Sequence, residues 1–392
     1  MKPKVLFIQS TPSPMSGSTK SLECLLNKIS DNNDIDFGVI LPNNSGVFKD
    51  WEHKGWRVHS VPLRHMNWPP IASLKDVIMF FPRFFFHKNI NIKAGKKISY
   101  IIQKEKYNII HTNVGVIDVG YKTAKKFKIP HIWHLREYQD LDFNEKIYPS
   151  KKFYIKNLSH KSNYCLAITK KIFKYFNIDK LKKGKYLYDA VLQESQKNIN
   201  WNKNNLILFV GRISEKKGAF DVIKSFCFIA DQIPKYELWM IGDPENTHYL
   251  NNLKKYVNDN GLESRIRFLG SQNNIEDFIS VAKCIVVASH FEGLGRVTIE
   301  AMANGCLVVG KNTFGTKEQF DNGLELTGKE IGIRYDNQKE LCSALLEISK
   351  NSIEKYKDTI ERAQFTVYEL YHIDKYYKIL RDLYNNIINE KE

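Results

Sequence analysis

Short apolar runs alternate with helical patterns along the second half of the chain. Runs such as Leu-Ile-Leu-Phe-Val at 206–210 are apolar throughout, as in parallel strands buried on both faces. Strands are predicted at 206–210, 237–241, 266–269, 284–288 and 307–310, and helices at about 219–232, 246–260, 275–282 and 296–303. This alternation predicts a parallel sheet covered by helices.

The first half begins in the same way, with an apolar run at 5–9, a loop carrying Gly17 and a helix from about Ser18. The polar, Asn-rich segment Gln193–Asn205 is typical of a linker. Further strands are predicted at 108–111, 131–134 and 165–168, and Tyr, Ile and Leu at three- and four-residue steps predict helix over the last forty residues. We therefore expect two Rossmann-like α/β domains, residues 1–192 and 193–365.

The segment from Trp68 to Ile102 mixes aromatic residues with Lys and Arg. It is interpreted either as a core helix that continues into a basic surface or as an interfacial helix that contacts a membrane. Its most apolar part, Val77–Phe86, is interrupted by Pro82 and Arg83 and is too short to span a bilayer. The N-terminus lacks the long apolar run of a secretory signal. We expect a soluble or peripheral protein.

Composition narrows the class of protein further. The 392 residues are enough for two cores, and 43% hydrophobic and 12% aromatic residues exclude a disordered chain. Six cysteines stand singly without a CxxC pair, which favours reduced thiols in the cytoplasm. Residues 1–190 carry 33 basic and 15 acidic residues, a net +18, whereas the remainder has −2. This charge asymmetry fits a protein that binds nucleic acid or docks on an anionic membrane surface. It also fits a protein that simply has a solvated, Lys-rich surface.

The segment Ser289–Gly310 contains two carboxylates at the end of a predicted strand. Glu292 lies in a Gly-punctuated loop and Glu300 follows on the helix. Carboxylates can accept hydrogen bonds from the vicinal hydroxyls of a sugar, and glycines let the backbone approach a ligand closely. Amides at the helix start would face an anion. The residues expected to line this part of the site are Gly293, Leu294, Gly295 and Arg296.

A second segment, FVGRISEKKG at 209–218, supplies two cations. Arg212 follows Gly211 at a strand end, and Lys217 precedes Gly218 at the next helix. Both would project into the crevice at the carboxyl ends of the strands, where α/β proteins bind ligands. Arg and Lys there could stabilise a departing diphosphate as its charge grows.

Together, FVGRISEKKG and HFEGLGRVTIEAMANGCLVV resemble the signature of retaining GT-B glycosyltransferases of family four, also called glycosyltransferase group 1. The segment Thr313–Glu318 resembles the Gly-rich loop that follows in this family. The resemblance implies two Rossmann-like domains facing across a cleft, with a C-terminal helix, about 366–392, returning to the N-terminal domain. Within this family, the chain resembles bacterial surface-polysaccharide glycosyltransferases.

The resemblance also implies roles for individual residues. Glu300 would hold the ribose and Glu292 the donor sugar, while Arg212 and Lys217 would bind the diphosphate. His134, in IPHIWHLRE, would lie beside the donor sugar. Gly17 and Gly211 would contact the donor, and the base pocket is expected near Gly270–Asp277. The chain departs from the family at Ser16-Gly17-Ser18, at Tyr188-Asp189-Ala190 and in a loop with the single Gly315.

The expected activity is retaining hexosyl transfer from a nucleotide-diphosphate sugar, a UDP-sugar being favoured, to a glycan or lipid-linked acceptor in bacterial cell-surface polysaccharide biosynthesis. No metal, other cofactor, covalent nucleophile or nucleic-acid partner is expected. The enzyme would work in the cytoplasm, docked on the inner face of the plasma membrane if the basic half binds anionic lipid. Three alternatives stay open: a metal-dependent glycosyltransferase using the DxD triplets at 34–36 or 140–142, a sugar-nucleotide epimerase, and a basic nucleic-acid-binding protein.

Overall fold

The computed structural model describes residues 2–390 and divides into two compact units. Unit 1 runs to Ala190 and resumes at Ile373, and unit 2 is Val191–His372. The sequence places the first boundary two residues later. The returning C-terminal segment begins at Ile373 rather than at about 366, because residues 366–371 belong to a helix of unit 2.

Unit 1 contains a seven-stranded parallel sheet in the order β3-β2-β1-β4-β5-β6-β7. Its strands are β1 Lys4–Ile8, β2 Asp36–Leu41, β3 Val58–Ser60, β4 Ile109–Thr112, β5 His131–Leu135, β6 Asn163–Ala167 and β7 Gly184–Tyr186. Its helices are α1 Gly17–Asn32, α2 Phe48–His53, α3 Leu74–Ile78, α4 Phe80–Glu105, α5 Val119–Phe127, α6 Asp140–Phe143, α7 Lys151–Leu158, α8 Lys170–Tyr175 and the C-terminal helix Ile373–Asn389.

The C-terminal helix joins unit 1 through one apolar face. Tyr376, Leu380, Tyr384 and Ile387 recur at three- and four-residue steps and are buried. They pack in one core with α1 and with β1, and Lys28 on α1 forms a 2.6 Å ion pair with Asp374. The return of this helix to the N-terminal unit, implied by the family resemblance, is confirmed.

Unit 2 contains a six-stranded parallel sheet in the order β10-β9-β8-β11-β12-β13. Its strands are β8 Asn204–Val210, β9 Glu237–Ile241, β10 Ile266–Gly270, β11 Ala282–Val287, β12 Leu307–Lys311 and β13 Ile333–Tyr335. Its helices are α9 Ala219–Ile229, α10 Thr247–Asp259, α11 Ile275–Val281, α12 Arg296–Ala303, α13 Phe314–Thr327, α14 Gln338–Lys350 and α15 Lys357–Tyr371. The C-terminal helix of unit 1 is therefore α16.

The predicted fold class is confirmed, since both sheets are parallel and flanked by helices. Every predicted strand is present within two residues of its expected bounds. Four strands, β2, β3, β7 and β13, were not predicted. β3, β7 and β13 have three residues each, too few for a recognisable pattern, and β2 carries Gly38 in its interior.

The aromatic-basic segment forms two consecutive helices, α3 and α4. The second half of α4 contributes Ala94, Ile98 and Ile102 to a core of unit 1. The first half of α4 and all of α3 leave large apolar side chains exposed. Across the described residues, no helix combines the length and apolar character needed to cross a membrane.

Candidate functional site

Two neighbouring strands of unit 2 end at the edge that carries the predicted chemistry. β8 and β11 are parallel, with Leu208 opposite Ile285. The loops that follow them emerge side by side, because the carboxyl ends of parallel strands share an edge. A backbone hydrogen bond of 2.9 Å from His290 N to the Lys216 carbonyl oxygen joins the two loops. The segments that carry the two cations and the first carboxylate are therefore in contact.

Lys217 and Glu292 meet at this edge. Lys217 Nζ lies 2.5 Å from Glu292 Oε1, which also accepts a 2.8 Å hydrogen bond from Ser289 Oγ. The Lys217 side chain is 34% exposed and that of Glu292 is 17% exposed, so a ligand can reach both. An ion pair this accessible adds little to stability. The pair lies at the carboxyl ends of the strands, the edge at which α/β proteins bind ligands.

Gly218 holds the first loop close to β11. Its φ of +70° lies in the left-handed region, and an added Cβ would stand 2.3 Å from the carbonyl oxygen of Ala288. Only glycine combines this backbone conformation with the absence of a side chain. The close approach places Lys217, the preceding residue, within reach of Glu292.

The helix after the acidic loop begins with a tight turn. Gly295, with φ +79°, is the N-cap of α12, and Gln319 Nε2 donates to the carbonyl oxygens of Leu294 and Gly295. Arg296 and Glu300, one turn apart, form a 3.5 Å ion pair and are both partly exposed. The first turn of a helix directs amide N–H groups outward, which suits an anion.

The N-terminal end of α13, which follows β12, packs on the acidic loop. The amide of Gly315 donates to the Glu292 carbonyl oxygen at 3.2 Å, and Thr313 Oγ1 donates to the Ser289 carbonyl oxygen at 3.0 Å. A Cβ on Gly315 would lie 2.8 Å from the Leu294 carbonyl oxygen, so this glycine is required for the close packing. Residues 314–318, expected in a Gly-rich loop, instead form the first turn of α13, and the glycine of this turn supports the backbone around Glu292.

The other predicted site residues of unit 2 are less directly connected to the Lys217–Glu292 pair. Arg212 is exposed on the loop after β8, where Gly211 has φ +145° and donates its amide to Ile241 O at 2.9 Å. Arg212 shares this edge with Lys217 but has no part in the Lys217–Glu292 ion pair. Gly270–Asp277, the expected base pocket, begins at the last residue of the edge strand β10, which β9 separates from β8.

In unit 1, Gly17 is the first residue of α1, and His134 is a buried residue of β5. His134 Nδ1 lies 3.3 Å from His111 Nε2, and its Nε2 lies 4.0 Å from Asp189 Oδ1. Burial, with the neighbouring Arg136 guanidinium, holds the pKa of His134 well below its usual value, so the ring is neutral. His134 is 0% exposed in this structure, and its contact with a donor sugar stays a prediction.

A buried polar network follows the central strands of unit 1 and was missed by the sequence reasoning. Gln9, Asn113 and Arg136 come directly after β1, β4 and β5. Asn113 Nδ2 donates to Gln9 Oε1 at 2.8 Å, and Arg136 donates to both oxygens of Asn113. Gln9 Nε2 donates to Ser18 Oγ on α1 at 3.0 Å. The available signal was a polar residue directly after each of these buried strands.

Asp189 completes this network through an ion pair with Arg136, and both residues are 4% exposed. The Tyr188-Asp189-Ala190 departure from the family pattern has a physical role, because the buried guanidinium requires a negative partner.

Aspartates of both DxD triplets contact other side chains of unit 1. Asp34 accepts a hydrogen bond from Tyr377, and Asp36, at the start of β2, pairs with Lys2 at 2.7 Å. Asp140 accepts from Tyr175 Oη at 2.5 Å. Within residues 2–390, no group of three or more His, Cys, Asp and Glu side chains is arranged to hold a metal ion.

Comparison with known proteins finds a family match over most of unit 2. Residues 192–365 match the family model for glycosyl transferases group 1. An uncharacterized glycosyltransferase of Methanocaldococcus jannaschii is 30% identical over 135 residues, 34% of this chain and 32% of the relative. The lipopolysaccharide core biosynthesis glycosyltransferase LpsE of Rhizobium meliloti is 31% identical over 122 residues, 30% of this chain and 34% of LpsE. The chain thus matches about a third of the length of these relatives.

The likeness to solved structures extends over both units. The crystal structure of HepE from Anabaena in complex with UDP superposes with a TM-score of 0.75 at 17% identity, covering 98% of this chain and all of HepE. The lipopolysaccharide glycosyltransferase WaaG gives 0.65 at 14% identity, covering 96% of this chain and 99% of WaaG. These likenesses show the fold. The chain has the GT-B fold, and its residues 192–365 match the family of glycosyl transferases group 1.

Proposed function

We propose that this chain transfers a hexosyl group from a nucleotide-diphosphate sugar, with retention of anomeric configuration, to a glycan or lipid-linked acceptor of a bacterial surface polysaccharide. The observation that carries the proposal is the Lys217–Glu292 pair beside the N-terminus of α12. It combines a cation, a carboxylate and helix amides at one sheet edge. A sugar diphosphate requires these three kinds of group.

The donor would bind by replacing the contact between Lys217 and Glu292 with contacts to itself. Lys217 and Glu292 neutralise each other in the structure. On binding, Lys217 would turn to the diphosphate and Glu292 to the sugar hydroxyls, while Glu300 would hold the ribose. Arg212, exposed on the same loop as Lys217, would supply the second cation. Charge that grows on the departing diphosphate would be stabilised by these cations and by the first amides of α12.

We propose that no metal ion is needed, because Arg212, Lys217 and the helix amides supply the positive charge. The relatives support the choice of donor and pathway. HepE was crystallised with UDP and with UDP-glucose, which favours a UDP-sugar here. LpsE is named for lipopolysaccharide core biosynthesis, which favours a surface glycan. The reaction would take place in the cytoplasm, where nucleotide sugars are available.

Ligand-induced thermal stabilisation tests the site. We expect UDP-sugars to stabilise the protein by about 2.7 kcal/mol at a hundredfold excess over Kd, and GDP- and ADP-sugars to do less. Glu300→Ala and Lys217→Met should abolish the effect, whereas Glu263→Ala, an exposed position before β10, should retain it. An undiminished shift in Glu300→Ala would refute the assignment.

Product analysis tests the reaction. NMR of the product formed from a UDP-sugar should show the donor's anomeric configuration, and EDTA should leave the rate unchanged. Release of an altered sugar in the absence of any acceptor would identify an epimerase and overturn the proposed transfer.

A further inference from the structure

The apolar surface formed by Ile71, by α3 and by the first half of α4, here called the aromatic surface, has no role in the site of unit 2. Nine of the nineteen exposed large hydrophobic side chains among the described residues fall within 22 consecutive positions. Single exposed apolar residues are ordinary, but a contiguous group marks an interaction site. The members are Ile71, Leu74, Val77, Ile78, Met79, Phe81, Phe85, Phe86 and Ile92.

The aromatic surface is held in place by packing beneath it. Phe80 and Phe84 stack on Trp68 with ring centroids 5.6 and 5.3 Å apart, and Tyr148 closes the cluster at 4.6 Å from Trp68. Ser73 caps α3 by accepting from the Asp76 amide. Because alternate phenylalanines are anchored in this way, their neighbours Phe81 and Phe85 are presented outward at 65% and 60% exposure.

Basic side chains continue the same face of α4. Phe81, Phe85, Lys88, Ile92 and Lys96 follow one another at steps of four, three, four and four residues, which places them in one stripe. Together, α3 and α4 carry seven Lys and Arg against two acidic residues. The apolar end of the stripe therefore passes directly into a cationic end.

The cationic end opens into a recess of about 280 Å³ between α4 and α5, here called the lysine recess. Lys88 and Lys96 line it from α4, and Lys122 and Lys126 line it from α5; Lys122 also pairs with Asp118 beneath. The residues that line it include no Asp or Glu. Such a recess suits a phosphate-bearing headgroup.

We propose that the aromatic surface and the lysine recess together dock this protein on an anionic lipid bilayer. The rings would enter the boundary between headgroups and acyl chains, and the lysines would contact lipid phosphates. Leu74, Ile78 and Ile92 favour lipid over nucleic acid, because aliphatic side chains beside the cations have nothing to stack on in a nucleic acid. The net +18 of residues 1–190 adds long-range attraction to an anionic leaflet. The inference extends the proposed use of a lipid-linked acceptor.

Vesicle co-sedimentation of the full chain tests this surface. We expect binding to phosphatidylcholine–phosphatidylglycerol vesicles but little to phosphatidylcholine alone, weakening from about 50 to about 500 mM NaCl. Phe81→Ser/Phe85→Ser should weaken partitioning about tenfold or more. Lys88→Gln/Lys96→Gln/Lys126→Gln should do the same at low salt.

Matched controls separate this surface from overall charge and hydrophobicity. Lys152→Gln/Lys156→Gln/Lys161→Gln removes the same charge elsewhere in unit 1, and Phe228→Ser/Phe365→Ser removes two exposed rings from unit 2. Both should bind within about twofold of wild type, because surface potential falls off within a Debye length. An equal loss in the lysine control would overturn the proposal, since net charge alone would then explain binding.

Two further outcomes are decisive. Failure of the wild-type chain to sediment with anionic vesicles at low salt would overturn the proposal. Binding of a single-stranded oligonucleotide that is lost in the same variants, without vesicle binding, would replace lipid by nucleic acid. Vesicle binding is measured without donor, and UDP-sugar stabilisation should be unchanged in every surface variant. Failure here is therefore distinguishable from failure of the proposed glycosyl transfer.

Discussion

The substitution Gly218→Ala tests whether the close approach of two loops assembles the candidate site. An alanine at this φ of +70° costs about 1–2 kcal/mol from the left-handed backbone alone. Its Cβ would also stand 2.3 Å from the Ala288 carbonyl oxygen, which cannot rotate away as a side chain could. Overpacking of this kind costs about 1–3 kcal/mol. We expect a total destabilisation of unit 2 of about 2–5 kcal/mol.

Gly328 provides a matched control. Its φ is +73°, but no atom lies within 4 Å of an added Cβ. Gly328→Ala should therefore cost only the backbone part, about 1–2 kcal/mol. The difference between the two variants measures the steric contact with Ala288.

Urea denaturation, combined with hydrogen exchange of the β8 and β11 amides, measures this difference. Relief of the contact should push the first loop away from β11, lengthen the Lys217–Glu292 distance and abolish UDP-sugar stabilisation in Gly218→Ala but not in Gly328→Ala. Equal destabilisation of the two variants would refute the steric argument. Full nucleotide-sugar binding by Gly218→Ala would refute its link to the site.

Two further predictions concern unit 1. Arg136→Met removes the buried cation that pairs with the Asp189 carboxylate and should cost about 3–5 kcal/mol in urea denaturation. Arg136→Met/Asp189→Leu should regain part of this stability, and a double variant as unstable as the single one would contradict the charge argument. Burial lowers the pKa of His131 to about 3 in the folded unit, against 6.5 when unfolded. Because the unfolded chain then binds more protons, stability should fall as pH drops from 6.5 towards 3, by up to about 1.4 kcal/mol per pH unit from this residue. His131→Gln should reduce that slope, and an unchanged slope would exclude His131 as its source.

The conformation of individual segments was readable along the chain. α12 begins at Arg296 and ends at Ala303 as predicted, because the Gly295 turn and the apolar spacing after it are local signals. Strands of five or more residues were found, apart from β2, since a short segment rich in apolar residues marks a strand covered on both faces. The three-residue strands carried too little pattern to be recognised.

Burial was not readable in the same way. The pattern HIWHL predicts β5 but does not tell which histidine reaches the sheet edge, because both faces of this strand are covered; the structure places His134 beside His111 in the interior. The spacing of α4 likewise predicts a helix. Its exposed rings follow from which phenylalanines find Trp68 and Tyr148 as partners.

By itself, the sequence determined the two α/β domains and the signature that residues 192–365 share with glycosyl transferases group 1, and it predicted the residue types of a nucleotide-sugar site. These depend on neighbours within a few positions of one another. Only the tertiary structure decided that Lys217 meets Glu292, 75 residues away, since their contact depends on β8 pairing with β11. It also decided that Asp189 forms an ion pair with Arg136 and that a row of phenylalanine side chains is exposed on α4. Strand order and burial arise from pairings between distant segments, which no local pattern encodes.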